Sequence, residues 1–600
     1  MFKKGGDSII TKEKILKYLI KPFLVVMMIA GFILAIQYTY TFGIISLLAL
    51  AVLWCIDIWE KKQMVKHAKE LIRARWGTDH IEKRDFKSIR RFYDFDASPE
   101  ANKNDSEEFI LDDITWRDLN MDSVFAKVDH TNSLPGVQKL YDLLRKPLFN
   151  GEDLEKRARK IDSFIENKEV ANDLQYPLNI LSKKDSKELF IYFQNGMNVD
   201  SKYAIVYRIM GFLPFLALLG LLVNQQLAFG IFIMAMSTNS LIYQKVKGKV
   251  YQEMDSFNYI SRLIKAAQAI SKVDTGSVDI EKEKLDSLIK STRAIYKNVS
   301  SLNTGTSARS EIQLLVDYVN MIFLRETIKF YKTINLINKH RDDIIDIYKL
   351  LGEIDAYISI ASYKDGLDYY VEPELIEDGD SFYINVEELY HPLLEDPVPY
   401  SFELDNKGAL VTGSNASGKS TYLRTIGVNT LLAQTFYITL AKSYKSNYYR
   451  LLTSIGTTDS IEEGDSYFMA EAKSLKRIVN SLDSDHPVLC ILDEIFRGTN
   501  TAERISAAKE VLNYMIDRNT LVVAATHDLE LTSMVNENFH NYHFKESIQE
   551  HDITFDYILR HGPATSRNAI AILRYLGYPK IIYENADKTV VDYQKNGYTY

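Results

Sequence analysis

The sequence predicts an α + α/β chain: transmembrane helical hairpins, then a helical core or lever domain, then a C-terminal α/β domain. Three observations predict it. Two pairs of uncharged apolar segments lie in the first half, helical periodicity dominates the middle, and apolar strands near the C-terminus run into glycine- and acid-bearing turns. A chain of 600 residues exceeds what one hydrophobic core holds, so several domains are expected. With 46% hydrophobic and 25% charged residues the composition is ordinary for globular protein, which excludes large-scale disorder. The net charge of −8 carries no global signal for nucleic acid, so any such site would be a local basic patch.

The apolar pairs come first. Phe23 to Ile36 and Ile44 to Ile56 are apolar almost throughout, separated by the polar stretch from Gln37 to Thr41. With their flanks each reaches about 18 residues, roughly enough to cross the hydrocarbon of a bilayer. Ile209 to Val223 and Leu227 to Tyr243 repeat the pattern around Asn224-Gln225-Gln226. Basic residues flank both pairs (Lys12, Lys14, Lys17 and Lys21 before the first; Lys61, Lys62, Lys66 and Lys69 after it), while the turns have neither Lys nor Arg. Lys202 and Arg208, then Lys245, Lys247 and Lys249, frame the second pair likewise. The positive-inside rule therefore puts the long segments in the cytoplasm. Core helices of a soluble domain are the alternative, and the absence of a polar face argues against them. Cys55 and Cys490 have no metal or disulfide spacing and read as buried small hydrophobes, which suits a reducing compartment.

From Ile110 to Tyr363, outside the second hairpin, apolar residues recur at three- and four-residue steps, as in Val137 to Leu144 and the run from Ile312 to Leu351. That pattern specifies helices and nothing more.

The chemistry lies further on. The short apolar strand Ala409 to Thr412 leads into Gly413-Ser414-Asn415-Ala416-Ser417-Gly418-Lys419-Ser420, and a helix pattern follows from Thr421. Strand, Gly-x-x-x-x-Gly-Lys-Ser, helix is the P-loop arrangement, in which backbone amides and a helix N-terminus hold phosphate oxygens. Lys419 is expected on the β- and γ-phosphates and Ser420 on Mg²⁺. Val488 to Leu492 is an apolar strand ending in Asp493-Glu494. Asp493 is the expected second Mg²⁺ holder and Glu494 the base for the attacking water. Leu521 to Ala525 ends in Thr526-His527, which places His527 as a γ-phosphate sensor. The catalytic set is thus Glu494, Lys419 and His527, and the cofactors are ATP and Mg²⁺.

These residues and their surroundings resemble the MutS mismatch-repair family: Gly413 to Thr421 (GSNASGKST), Leu492 to Asn500 (LDEIFRGTN), Ala525 to Thr532 (ATHDLELT) and Glu463 to Glu471 (EGDSYFMAE). Tyr390 to Leu394 looks like the family's entry to its ATPase domain, and Gly562 to Ala586 like its dimer-bracing tail. More loosely, Asp113 to Pro147 looks like the start of the family's core and Leu351 to Ala361 like its return helix. The resemblance implies a homodimer through the ATPase domains, with Ser466 reaching the partner's γ-phosphate, Arg497-Gly498-Thr499 at the same interface, and Val398, with Tyr400 close by, against adenine. It departs from the family at the N-terminus, where too few residues precede the core for a mismatch-reading domain. Phe164-Ile165-Glu166 matches that domain's wedge tripeptide but falls in a helical stretch of the core.

The expected partition begins with an N-terminal segment at 1–21, a first hairpin at 22–59 and a juxtamembrane linker at 60–109. The helical core follows at 110–208 and resumes at 244–365, interrupted by the second hairpin at 209–243, and the ATPase domain with its tail occupies 366–600. The expected function is a multi-pass cell-membrane ATPase whose nucleotide state clamps DNA, mismatched or branched, or another ligand. The alternatives are an ABC-type transport ATPase, which lacks support from any Leu-Ser-Gly-Gly-Gln-type signature, and a membrane scaffold using ATP as a structural switch.

Overall fold

The computed structural model describes residues 20–38, 40–78, 84–96, 109–183, 187–196, 202–302, 318–377, 382–414, 417–456, 467–483, 486–497, 499–535, 537–549, 552–564 and 569–596. Asn415, Ala416, Ser466 and Gly498 lie outside these residues. The chain divides into two compact units, Met1–Arg75 and Trp76–Tyr600.

In the first unit, helix Lys21–Gln37 has Pro22 in its first turn, where the missing amide costs nothing. A short turn, Tyr40–Phe42, returns the chain into helix Gly43–Arg75. The two helices touch at Gly31, where an added Cβ would sit 2.8 Å from Ser46 Oγ. Ser46 Oγ donates to Met28 O at 2.7 Å, and Lys21 Nζ lies 2.8 Å from both Asp57 and Glu60 at the open end. Among the described residues the apolar stretches of these two helices leave much of their surface uncovered. Cys55, expected to be buried, is accordingly exposed, and so are Phe32, Leu47 and Trp54. Helix Gly43–Arg75 also continues well past the hairpin end expected at residue 59.

In the second unit, helix Lys202–Gly220 is followed by the 46-residue helix Gln225–Ile270, capped where Asn224 accepts from Leu227 N. The distal half of the long helix is core: Phe257, Ile260, Leu263, Ala267 and Ile270 are buried. Among the described residues, Gly43–Arg75, Tyr203–Gly220 and Gln225–Val250 are long and apolar enough to cross a membrane; Lys21–Gln37 is apolar but has only 17 residues.

The helical core is organised around helix Arg341–Asp365, which packs along helix Leu134–Arg145. Gly136 permits the approach, since a Cβ there would lie 2.1 Å from Asp355 Oδ2. Asp355 is fully buried and accepts from Asn132 N and from Ser133 N and Oγ, while Ser133 Oγ caps helix Leu134–Arg145 by accepting from Gly136 N. Burial pushes the Asp355 carboxyl up to about 6, against those hydrogen bonds. Buried Arg145 sits 4.3 Å over the Trp116 ring and donates to Leu111 O and Tyr141 Oη. Phe164, of the wedge-like tripeptide, is 2% exposed inside helix Gly151–Glu166, so it is a packing residue. The apolar run from Ile312 to Leu351 does not form one helix. Leu324 takes φ +50° and His340 separates Arg325–Lys339 from Arg341–Asp365.

The strands form two sheets. One joins β1 (Glu374–Ile376), β5 (Ser443–Asn447), β2 (Tyr383–Leu389) and β3 (Tyr400–Asp405) in that spatial order. The other runs β10 (Asp552–His561), β9 (Phe539–Gln549), β4 (Gly408–Thr412), β8 (Thr520–Thr526), β7 (Val488–Asp493) and β6 (Arg450–Ser454). Its neighbours are parallel except the β9–β10 hairpin. Strands β4, β7 and β8 are buried along their whole length, as continuous apolar runs require when both faces are covered. Ala409, Val411, Leu489, Ile491, Val523 and Ala525 join the core shared with the helical domain. Leu410, Cys490, Leu492, Val522 and Ala524 point to a second core on the other face.

Candidate functional site

Register explains why the site residues meet. Thr412 pairs with Thr526 and Asp493 with Ala525, so β4, β7 and β8 end at the same edge of the sheet. In parallel α/β sheets the crevice beyond the carboxyl ends is where ligands bind.

The chain leaves β4 through Gly413 (φ +148°) and enters helix Lys419–Phe436 through Gly418 (φ +106°), backbone values that favour glycine. A Cβ on Gly413 would lie 2.8 Å from Ser417 Oγ, and one on Gly418 would lie 3.1 Å from the Tyr557 ring. Ser417 Oγ donates to Ser414 O at 2.8 Å, pinning the loop, and Ser414 Oγ donates to the Glu546 carboxylate on β9. Thr421 lies in the first turn of the helix.

Lys419 is buried, with Nζ donating to Gly413 O at 2.7 Å and Ser414 O at 2.8 Å, and His527 Nε2 3.3 Å away. Burial pulls its ammonium down to about 8, partly opposed by Asp493 and Glu494. Ser420 Oγ donates to Asp493 Oδ2 at 2.5 Å. The other oxygen, Asp493 Oδ1, is buried without a hydrogen-bond partner among the described residues, and the Arg497 guanidinium is 4.0 Å from it. A hydroxyl and a carboxylate side by side, with one carboxylate oxygen unsatisfied, form a donor set of hard oxygens. Such a set suits a small divalent cation that keeps several waters.

Glu494 stands at the strand end with φ +55°, its amide donating to Ala525 O at 2.9 Å. His527 Nε2 lies 2.9 Å from Oε1 and Arg497 Nε lies 2.5 Å from Oε2. Burial pushes the carboxyl up, but the His527 hydrogen bond, Arg497 and Lys419 together outweigh it and hold it below its ordinary value. Arg497 N donates in turn to Glu471 Oε2 at 2.9 Å, on helix Tyr467–Val479. The structure therefore gathers Gly413, Ser414, Ser417, Gly418, Lys419, Ser420, Asp493, Glu494 and His527 at one edge.

Val398 is half-buried in the segment leading to β3. Tyr400 beside it is committed to the core, 5.2 Å from the Tyr422 ring and 6.0 Å from Phe544. Tyr400 Oη would still lie 3.9 Å from a Cβ on Gly418, and a second aromatic borders the loop, Tyr557, 42% exposed, with φ +55° where the β9–β10 register shifts. The sequence carries no signal for it, because only the topology of the hairpin brings residue 557 to residue 418.

The class that fold and site define is a helix-rich mixed α/β protein whose polar residues converge on the C-terminal edge of a mostly parallel sheet. Residues 409–594 match MutS domain V. The chain is 26% identical over 512 residues to the DNA mismatch repair protein MutS of Aquifex pyrophilus, covering 78% of this chain and 59% of that protein. It is 29% identical over 258 residues to the DNA mismatch repair protein MutS of Natronomonas pharaonis, which covers 41% of this chain and 29% of that one. With the DNA mismatch repair protein MutS 2 of Haloarcula marismortui the identity is 31% over 271 residues, 40% of this chain and 28% of that protein. The chain is similar to these MutS proteins, and the family-model match lies in its C-terminal third. It spans less than two thirds of the length of these relatives.

Proposed function

We propose that this protein is a membrane-anchored ATPase that binds ATP with Mg²⁺ on a P-loop and cleaves it to ADP and phosphate. In this reading it acts as a homodimer whose nucleotide state works the helical core on DNA. The observation that carries the reading is the pair Ser420–Asp493, with one buried oxygen of Asp493 left over, beside Lys419 at the mouth of a glycine-bounded loop.

Each residue then has a task. The amides of the loop from Gly413 to Ser420 and the first turn of helix Lys419–Phe436 hold phosphate oxygens. Lys419 exchanges its loop carbonyls for the β- and γ-phosphates, and the charge it gains there offsets its burial. Ser420 and Asp493 would hold Mg²⁺, whose contribution when bound is to neutralise phosphate charge. Glu494 orients and deprotonates the attacking water, and His527 faces the γ-phosphate from the end of β8. Tyr557 offers a ring for the nucleobase, ahead of Val398. Ser466 would complete the partner's site.

The membrane assignment rests on the apolar helices and their basic flanks. DNA as the ligand rests on the relatives, which are named as DNA mismatch repair proteins. The test is binding of mismatched, branched and plain duplexes by the detergent-purified chain at one fixed salt, with and without MgATP. Salt is fixed because phosphate contacts alone move affinity by orders of magnitude. Structure-selective, nucleotide-dependent binding is expected. Equal binding to all duplexes, unchanged by MgATP, would remove DNA from the proposal.

A further inference from the structure

The helix Lys202–Gly220 carries Pro214, which has no amide hydrogen, so the carbonyl four residues back, on Met210, loses its helical partner. Inside hydrocarbon an unsatisfied carbonyl is costly. Asn239, on the facing helix Gln225–Ile270 and wholly buried, donates from Nδ2 to that carbonyl at 3.0 Å. The same nitrogen donates at 2.7 Å to Ile322 O, on a third stretch of chain, the helical residues 318–323. Gly211 makes room for the third stretch, since a Cβ there would lie 2.5 Å from Phe323 O.

Depth follows from helix geometry. Asn239 is 14 residues beyond Gln225, where the long helix leaves its turn. At about 1.5 Å per residue this is about 21 Å into a hydrocarbon layer of about 30 Å. Residues 322–323 therefore lie about 9 Å inside the face opposite the turn. Among the described residues a contact to a charged side chain comes near the end of that depth. Tyr243 Oη donates to Glu326 at 2.9 Å, about 27 Å along the helix, and Lys245, Lys247 and Lys249 follow it. Tyr318 and Val319 are 58% and 39% exposed.

Resting on the membrane reading above, we infer that residues 318–323 are a third lipid-contacting element, which dips among acyl chains from the cytoplasmic face and is riveted to the second hairpin by Asn239. Tyr318 and Val319 meet lipid. Leu324, buried with φ +50°, then turns the chain out of the layer into helix Arg325–Lys339, so the helical core is bound to the bilayer at a second place besides the long helix.

The test is nitroxide labelling of the full chain in lipid nanodiscs, in a Cys55→Ala background, at Val319→Cys and separately at Met234→Cys on the exposed face of the hairpin. Collision with oxygen against a water-soluble nickel chelate reports whether each label sits in lipid. Both labels should be oxygen-accessible and chelate-protected. A lipid-embedded label at 234 with a chelate-accessible label at 319 would overturn the third element and leave the anchor standing. A chelate-accessible label at 234 would overturn the membrane reading itself. In Asn239→Leu the label at 319 should become several-fold more accessible to the chelate while the label at 234 does not change. No change at 319 would refute the rivet.

Discussion

Arg497 Nε lies 2.5 Å from Glu494 Oε2, so the carboxylate at the end of β7 is half of an ion pair formed within its own turn. Arg497 helps to hold the Glu494 carboxyl below its ordinary value, in company with His527 and Lys419. If the ionised form is the active one, Arg497→Gln raises the pKa and moves the acid limb of the pH–rate profile to higher pH. The profile of kcat/KM for phosphate release measures this. A limb that stays in place would mean that Arg497 does not tune the base.

Lys419 gives a pH dependence of opposite sense. Its pKa, lowered to about 8 by burial, means that its charge is present below that pH and lost above it. Affinity for ATP should fall as pH rises from 7 to 9, and Lys419→Arg should flatten that fall because a guanidinium stays charged. Titration with a fluorescent ATP analogue checks it. Lys419→Ala should lower turnover by on the order of a hundredfold or more, by removing the phosphate-facing charge.

Tyr557 and Val398 are the two candidates for the nucleobase in the proposed site. Stacking on an aromatic ring contributes about 1–3 kcal/mol, so Tyr557→Ala should raise the Kd for ATP about tenfold, leaving triphosphate alone unaffected. Val398→Ala should change little. The reverse ranking would return the base to the strand before the loop.

Sequence made the site legible where chemistry is local, and left it hidden where topology does the work. The loop, Asp493-Glu494 and His527 are each read from a strand followed by a turn, because a continuous apolar run says both that a strand is buried and where it ends. Tyr557 and Glu546 come from β10 and β9, far from the loop in sequence, and only the sheet order brings them to it, while the Glu471–Arg497 contact depends on how helix Tyr467–Val479 packs on the turn after β7. The apolar pairs were legible for a similar reason: no polar face was there to disguise them. The extent of helix Gly43–Arg75 was not, because lysine-rich helix and lysine-rich linker read alike. The break at Leu324 was also hidden, since a leucine at φ +50° is held by its surroundings and not by propensity.

Arg145 is a test of the core and not of the site. Its guanidinium is 2% exposed and lies over Trp116, while its acidic partner Asp113 is more than half exposed. Removing it leaves no fully buried charge behind but strips Leu111 O and Tyr141 Oη of their donor, so Arg145→Met should cost about 1–3 kcal/mol. Urea unfolding of the detergent-solubilised chain, followed by tryptophan emission, measures the cost. A loss below about 1 kcal/mol would show that the aromatic cage holds without its cation.

The most direct measurement is ATP binding and phosphate release, side by side, for the purified full chain and for Glu494→Gln. Both proteins should bind MgATP with similar affinity, while the variant releases phosphate slower by on the order of a hundredfold or more. Equal rates in the two proteins, or a wild-type chain that does not bind MgATP, would contradict the assignment of Glu494 as the base of an ATPase.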